Sequence, residues 1–369
     1  MANRRIFLLQ MMAGVVAGGG VAPVAFAAAD IDAVVSLSPR NDIRAPCFDS
    51  VSAAIAAAPL SGRKPFRILV SKGVWRERLV IDRPFIHLIG AGQAETVITS
   101  GASAGDIGPD GKPIGTFKTQ TVEVTAADFC AEHLTIANDF DYVGHLPPPT
   151  ATDKTGASGA QAIALSIHGA ADRCYLSEVT ITGHQDTLYT DSGRSRFERC
   201  RISGSVDFIF GAGRSWFEKC EIVSRLRPGQ KFNGFIAAPD TDIHQPVGLV
   251  FSACRLVKEA GVAPHSVALG RPWRHTKTFP DGRRYGDPDN VGACVYLNCW
   301  MDDHIVPEGW YPMGYTAPDG TKQQLQPEDA RFFEYASMGP GAGKVSARRR
   351  FLQTADDFTA LKVLLGWRS

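Results

Sequence analysis

The sequence predicts an all-β chain wound as a right-handed parallel β-helix, with a short capping helix at its N-terminal end and a helical tail at its C-terminal end. Three observations carry this. A short apolar–x–apolar strand recurs at Leu134-Thr135-Ile136, Val179-Thr180-Ile181, Cys200-Arg201-Ile202, Cys220-Glu221-Ile222, Cys254-Arg255-Leu256 and Cys299-Trp300-Met301. The intervals between first members are 45, 21, 20, 34 and 45 residues, which fit one coil or about two coils with longer excursions. Repeats of this length mark stacked architectures, in which each unit buries its apolar face only against its neighbours. Finally, the strands are β-branched and separated by Gly, Asn and Asp, a pattern that excludes a helical repeat.

The elements follow in order. Residues 1–27 hold Arg4-Arg5, then Phe7-Leu8-Leu9, a Gly- and Ala-rich apolar stretch and the small-residue cleavage signal Ala25-Phe26-Ala27. This fits a twin-arginine export signal; an ordinary secretory signal is the alternative. The stretch is too short and glycine-rich for a span of about 20 apolar residues. The mature chain, 28–369, is therefore expected as one soluble domain outside the cytoplasm, periplasmic or extracellular, without a membrane anchor. Phe48 to Ala58 reads as the amphipathic capping helix, and the coils begin at Ile68–Val70 and Gly73-Val74-Trp75. Gly- and Pro-rich segments at 101–115, 144–160 and 274–290 are excursions long enough to wall a cleft. Thr354 to Leu365 is the helical tail.

Charge and cysteine usage exclude several functions. The formal net charge is +1, and the first 27 residues contribute Arg4 and Arg5 with no acid, so nothing basic enough for nucleic acid remains. The eight cysteines contain no CxxC and no nearby Cys/His grouping, so no metal is expected. Cys200, Cys220 and Cys254 fall in register with the repeat and read as an inward ladder of small hydrophobes. Export would permit a Cys200–Cys220 disulfide, with free core thiols as the alternative.

Asp186 and Asp207 stand twenty-one residues apart, one coil of such a solenoid. Adjacent rungs are about 4.8 Å apart. Two carboxyl groups so close do not both ionise easily, and one is pushed toward a raised pKa while the other stays anionic. A nucleophile beside a proton donor needs that arrangement. Taken alone, an Asp pair one coil apart is more often a solvated ladder at strand ends. Gly101-Ala102-Ser103-Ala104-Gly105 matches a serine nucleophile elbow, but that elbow requires a following helix and a loop follows here. Gly90-Ala91-Gly92 lacks the third glycine of a dinucleotide fingerprint, so no cofactor is implied.

A resemblance to pectin methylesterases is carried by Gln161-Ala162-Ile163-Ala164-Leu165, Gly183-His184-Gln185-Asp186-Thr187-Leu188-Tyr189, Asp207-Phe208-Ile209-Phe210-Gly211 and Leu269-Gly270-Arg271-Pro272-Trp273, in order and spacing. Weaker similarity extends from Gly73 to Thr99 and from Phe332 to Ala342, so it spans nearly all of the mature chain. The resemblance implies hydrolysis of the methyl esters of polygalacturonate (pectin) to pectate and methanol, without metal or cofactor, by a monomer. It implies that Asp207 attacks the ester carbonyl, that Asp186 acts as acid and then base, and that Gln185 and Gln161 donate to the oxyanion. Arg271 would pair with Asp207. Trp273, Tyr189 and Phe210 would stack on sugar faces, and Thr116 would make a polar substrate contact. Phe208 turns away into the core by strand alternation. The sequence departs from the family pattern at His184, where an aromatic is usual, and at Ser337, where Asn is usual; His184 reads as a packing substitute. The rival readings are a same-fold esterase or thioesterase for another acyl substrate, and a non-catalytic carbohydrate-binding solenoid.

Overall fold

The structure, a computed structural model, describes residues 31–38, 44–146 and 159–352. The export signal at 1–27 and the tail helix from Thr354 lie outside the described residues. Among those described, three parallel sheets of eleven, eight and seven strands run the length of a right-handed β-helix, right-handed as parallel crossovers are. The recurring strands stack as the repeat required: Ile136, Ile181, Ile202, Ile222, Leu256 and Met301 are successive partners in the eight-stranded sheet. The same row continues upstream through Ile98 and Trp75, where no matching triplet is legible.

The corner before this sheet explains why the repeat tolerates so many residue types. His133, Glu178, Arg199, Lys219, Ala253 and Asn298 all hold a left-handed backbone, with φ from 50° to 56°. Such a conformation costs an L-residue about 1–2 kcal/mol, so the stacked rungs must hold it in place. The residue that follows most of these corners points inward, and Cys200, Cys220, Cys254 and Cys299 form the buried ladder. Beside them Phe197, Phe217, Phe251 and Tyr296 stack face to face at 4.7, 4.6 and 4.5 Å. Offset stacking of this kind adds to the area buried.

The helix bounds, the first coil and one excursion differ from expectation, and the open question of a Cys200–Cys220 bridge is answered by free thiols. The capping helix is shorter, Val51–Ala56. Cys47–Phe48 is instead a strand paired with Ala33–Val35, so the coils begin before Ile68. Ser50 accepts from the Ala53 amide and the Glu77 carboxylate accepts from the Val51 and Ser52 amides, which fixes where the helix starts. Cys200 and Cys220 are free thiols. Each donates to a carbonyl of the preceding rung, Leu176 at 3.4 Å and Phe197 at 3.3 Å. Rung spacing of about 4.8 Å exceeds the roughly 3.8 Å between Cβ atoms that a disulfide needs. Finally, the excursion at 274–290 is partly regular, with Thr276–Thr278 pairing antiparallel to Arg284–Gly286. A second hairpin, Met313–Thr316 with Lys322–Leu325, also stands outside the helix.

Two motifs resolve structurally. Ser103 donates through its hydroxyl to Asp106 at 2.9 Å and through its amide at 3.0 Å, and the turn continues as loop. Ser337 donates to Glu334 at 2.7 Å, completing a fully buried Glu334–Arg349 pair that fastens the last described segment to the solenoid.

Candidate active site

The seven-stranded sheet brings the conspicuous residues together. Its rungs run in order from Leu79–Ile81 through Val122–Val124, Leu165–Ile167, Leu188–Thr190, Val206–Gly211 and Gly234–Pro239 to Val267–Gly270. Gln161 and Gln185, each just before its strand, pair with one another, and Gln185 pairs with Val206 at the start of the next. The next residues along, Asp186 and Asp207, therefore occupy equivalent places on neighbouring rungs.

Both acids break the regular pleat. Asp186 has φ 61° and Asp207 φ 48°, and the pairing of Val206–Gly211 with the next strand shifts register between Val206 and Ile209. A bulge with a left-handed residue re-aims a side chain that a regular strand would fix, and such strain concentrates at functional sites. Phe208 is fully buried in the core as expected, but so is Ile209 beside it, because the bulge interrupts the alternation.

Arg271 reaches Asp207 across an intervening rung. Its backbone amide bonds to Ala237, so the chain beyond Val267–Gly270 keeps the sheet's register. Its Nε and Nη2 donate to the two Asp207 oxygens at 2.9 and 2.6 Å. The side chains of this pair are only 12% and 10% exposed. On the way, the guanidinium carbon lies 4.0 Å from the ring centroid of buried Phe235. Gly234, at φ 152°, permits that packing: a Cβ there would sit 1.8 Å from the Ser205 carbonyl oxygen.

The electrostatics separate the acids. Burial first, then the Asp207 carboxylate, push Asp186 well above the usual carboxylate range, with Arg271 opposing. Among the described residues, neither the Gln161 nor the Gln185 amide is engaged by another side chain, and Gln185 Oε1 is buried without a partner. Their N–H groups are free for a ligand. His184 is buried, stacks on Tyr142 at 4.8 Å, and is held neutral by burial and by Arg225 and Arg227. That environment fits a packing residue.

One side of the acids is aromatic. Tyr189 stacks on Phe210 at 4.7 Å, and Phe210 meets Trp273 edge-on at 5.7 Å. Tyr189 and Phe210 are only 8% and 3% exposed, so they form the floor of the cleft while Trp273 projects further. Thr116 opens a short turn at the rim, Thr116–Lys118, and its neighbour Phe117 is 43% exposed with its ring 5.0 Å from Tyr189. His275 closes the wall, 5.0 Å from Trp273 and 5.8 Å from Phe117. Phe117 and His275 escape sequence reading because they lie in excursions and meet each other 158 residues apart, while Phe235 lies in the strand Gly234–Pro239 but in none of the recognised blocks.

Among the described residues no cluster of His, Cys, Asp and Glu could hold a metal ion, and no helix is long and apolar enough to cross a membrane.

Comparison with known proteins agrees with this geometry. The pectinesterase family model matches residues 42–354. Pectinesterase A of Dickeya dadantii is 43% identical over 347 residues, 92% of each chain. A crystal structure of a pectin methylesterase in complex with a hexasaccharide superposes with TM-score 0.84 at 43% identity, covering 92% of this chain and 98% of that one. The pectin methylesterase from carrot has TM-score 0.67 at 26% identity, covering 93% and 92%.

Proposed function

The chain belongs to the pectinesterase family and is a carboxylic ester hydrolase that demethylates pectin; we propose that Asp207 is its nucleophile and Asp186 its acid and base. The observation that carries this is a carboxylate, Asp207, clamped at both oxygens by Arg271, one rung from the Asp186 carboxyl, which burial and the Asp207 charge keep protonated.

An Asp207 oxygen adds to the carbonyl carbon of a methyl galacturonate, and the carbonyl oxygen takes up the negative charge. The Gln185 and Gln161 amides donate to that oxyanion; one such donor contributes on the order of 3 kcal/mol. Collapse breaks the bond to the methoxy oxygen, which leaves as methanol with the Asp186 proton. The resulting anhydride joins Asp207 to the sugar carboxyl. Asp186, now a carboxylate, takes a proton from water as the water oxygen attacks. The free galacturonate departs, and Asp207 and protonated Asp186 are restored. Arg271 orients Asp207 throughout, and Phe235 beneath it is a positioning residue. Trp273 and Phe117 offer ring faces to the polymer over the floor of Tyr189 and Phe210, with Thr116 at the rim. Export through residues 1–27 accompanies this reading, supported by Arg4-Arg5 ahead of the apolar stretch.

Asp207→Asn should lower methanol release from methylated pectin at least ~1000-fold, the scale of losing a covalent step, with unchanged circular dichroism. Near-normal turnover refutes the nucleophile assignment.

A further inference from the structure

Gln185 is bridged on both sides, to Gln161 and to Val206, whereas Gln161 is bridged on one. On its other side the strand Val122–Val124 begins only opposite Leu165, and a short turn, Thr116–Lys118, precedes it. A backbone that carries a donor for the oxyanion must be held within about half an ångström of its productive place. Other groups therefore have to replace the missing ladder bonds.

Three residues supply them. Ala104, inside the 101–105 turn, donates its amide to the Gln161 carbonyl at 2.9 Å. Two residues further along, the Ile163 amide donates to Thr119 Oγ1 at 2.9 Å. That hydroxyl donates in turn to the Thr116 carbonyl at 2.8 Å. The Ile163 carbonyl accepts the Thr121 amide and Asn138 Nδ2, each at 3.1 Å. The same Nδ2 reaches the carbonyls of Ala102 at 2.9 Å and Thr119 at 3.2 Å. Asn138 thus ties the start of the excursion, its return at Thr119 and the Gln161 segment into one unit. Asn138 and Thr119 are 5% and 0% exposed, where leaving a polar group unpaired costs more than making its bond returns. The turn is braced as well: Asp106 accepts both the Ser103 hydroxyl and the Ser103 amide, which fixes the direction of the Ala104 amide that follows.

We propose that Asn138, Thr119 and the 101–105 turn form a clamp that aims the Gln161 amide at the oxyanion, which makes Asn138 and Thr119 positioning residues for the hydrolysis. The inference rests on the reading of Gln161 as an oxyanion donor. It also gives the turn that resembles a serine elbow a part in the reaction. That part is played by the Ala104 amide, since the Ser103 hydroxyl is committed to Asp106.

The test is a set of double-mutant cycles against Gln161, read by methanol release from methylated pectin, with the melting temperature of each variant recorded. Thr119→Val removes the oxygen at nearly constant volume, and Asn138→Ala frees all three carbonyls. Each should lower kcat about tenfold, the scale of a sub-ångström misplacement, with KM changed less than about threefold. Thr119→Ser, which keeps the oxygen, should recover most of the loss. Gln161→Ala alone should lower kcat at least about 100-fold, the scale of one oxyanion donor. In that background the clamp substitutions should cost less than about twofold more, because the group they position is gone. Asp106→Ala, in an exposed turn where folding is not at stake, should lower kcat about threefold and lose its effect in the same way. It decides the matter alone if the buried variants do not fold. Losses that multiply in the double variants, losses confined to KM, or an unchanged kcat in the folded single variants overturn the clamp while leaving Gln161 its function. An unchanged kcat for Gln161→Ala refutes the oxyanion reading, and the clamp with it.

Discussion

Arg271→Lys isolates the value of two-point contact at the nucleophile. In the structure the guanidinium spends Nε and Nη2 on the two Asp207 oxygens, at 2.9 and 2.6 Å, and rests on Phe235 at 4.0 Å. A lysine ammonium keeps the positive charge but is a single point on a flexible stem, so it satisfies one oxygen and leaves the carboxylate free to rotate. Losing one charge-assisted hydrogen bond in this buried setting removes about 1.5–3 kcal/mol. The lost stacking of a planar group on the ring adds roughly 0.5–1 kcal/mol. The sum, about 2–4 kcal/mol, corresponds to a fall of roughly 30- to 1000-fold in rate. The fall should appear in kcat, because the pair aims the attacking oxygen, while KM for methylated pectin changes little. Initial rates of methanol release across a range of pectin concentrations measure both. A kcat within threefold of the unsubstituted chain, or a loss confined to KM, refutes the claim that the fork orients the nucleophile.

Two further outcomes concern the scaffold. Burial raises the Asp240 carboxyl to about 8, although it accepts the His275 amide at 2.9 Å. A raised folded pKa means that the unfolded chain releases this proton first, so Asp240 lowers stability progressively as pH rises from about 4 to about 8. Asp240→Asn should therefore raise the melting temperature at pH 8 and leave it nearly unchanged at pH 4; an equal shift at both, by calorimetry, removes Asp240 as the cause. At the corner before Cys254, exposed Ala253 holds φ 52°, and Ala253→Gly should stabilise by about 0.5–1 kcal/mol, the relief of left-handed strain less glycine's entropy. Ala53→Gly, within Val51–Ala56, should instead destabilise by about 1 kcal/mol. Matching signs in denaturant unfolding would contradict the corner argument.

The family blocks around Gln161, Asp186, Asp207 and Arg271 are legible in sequence because a solenoid turns a fixed interval into a lateral neighbour. Once the period near twenty is seen, Asp186 and Asp207 must lie on adjacent rungs, and an apolar triplet such as Cys220-Glu221-Ile222 must stack on its predecessor. Periodicity is a local signal, and one chain carries all of it. The inward direction expected for Phe208 is found, but Ile209 also enters the core, because the bulge interrupts the alternation that the expectation rested on.

What the chain alone could not decide depends on distances between segments that share no period. The left-handed bends at Asp186 and Asp207, and the bulge that re-aims the nucleophile, arise from strain that only neighbouring rungs sustain. Phe117 meets Tyr189 because an excursion folds back over the sheet, and Phe235 supports Arg271 because its rung lies between theirs and Asp207's. The cysteine register left the disulfide open; in the structure Cys200 and Cys220 are free, each thiol turned to a carbonyl of the preceding rung. The sequence thus determined which side chains repeat and stack, while the packing of excursions and hairpins against the sheets decided which of them meet in the cleft.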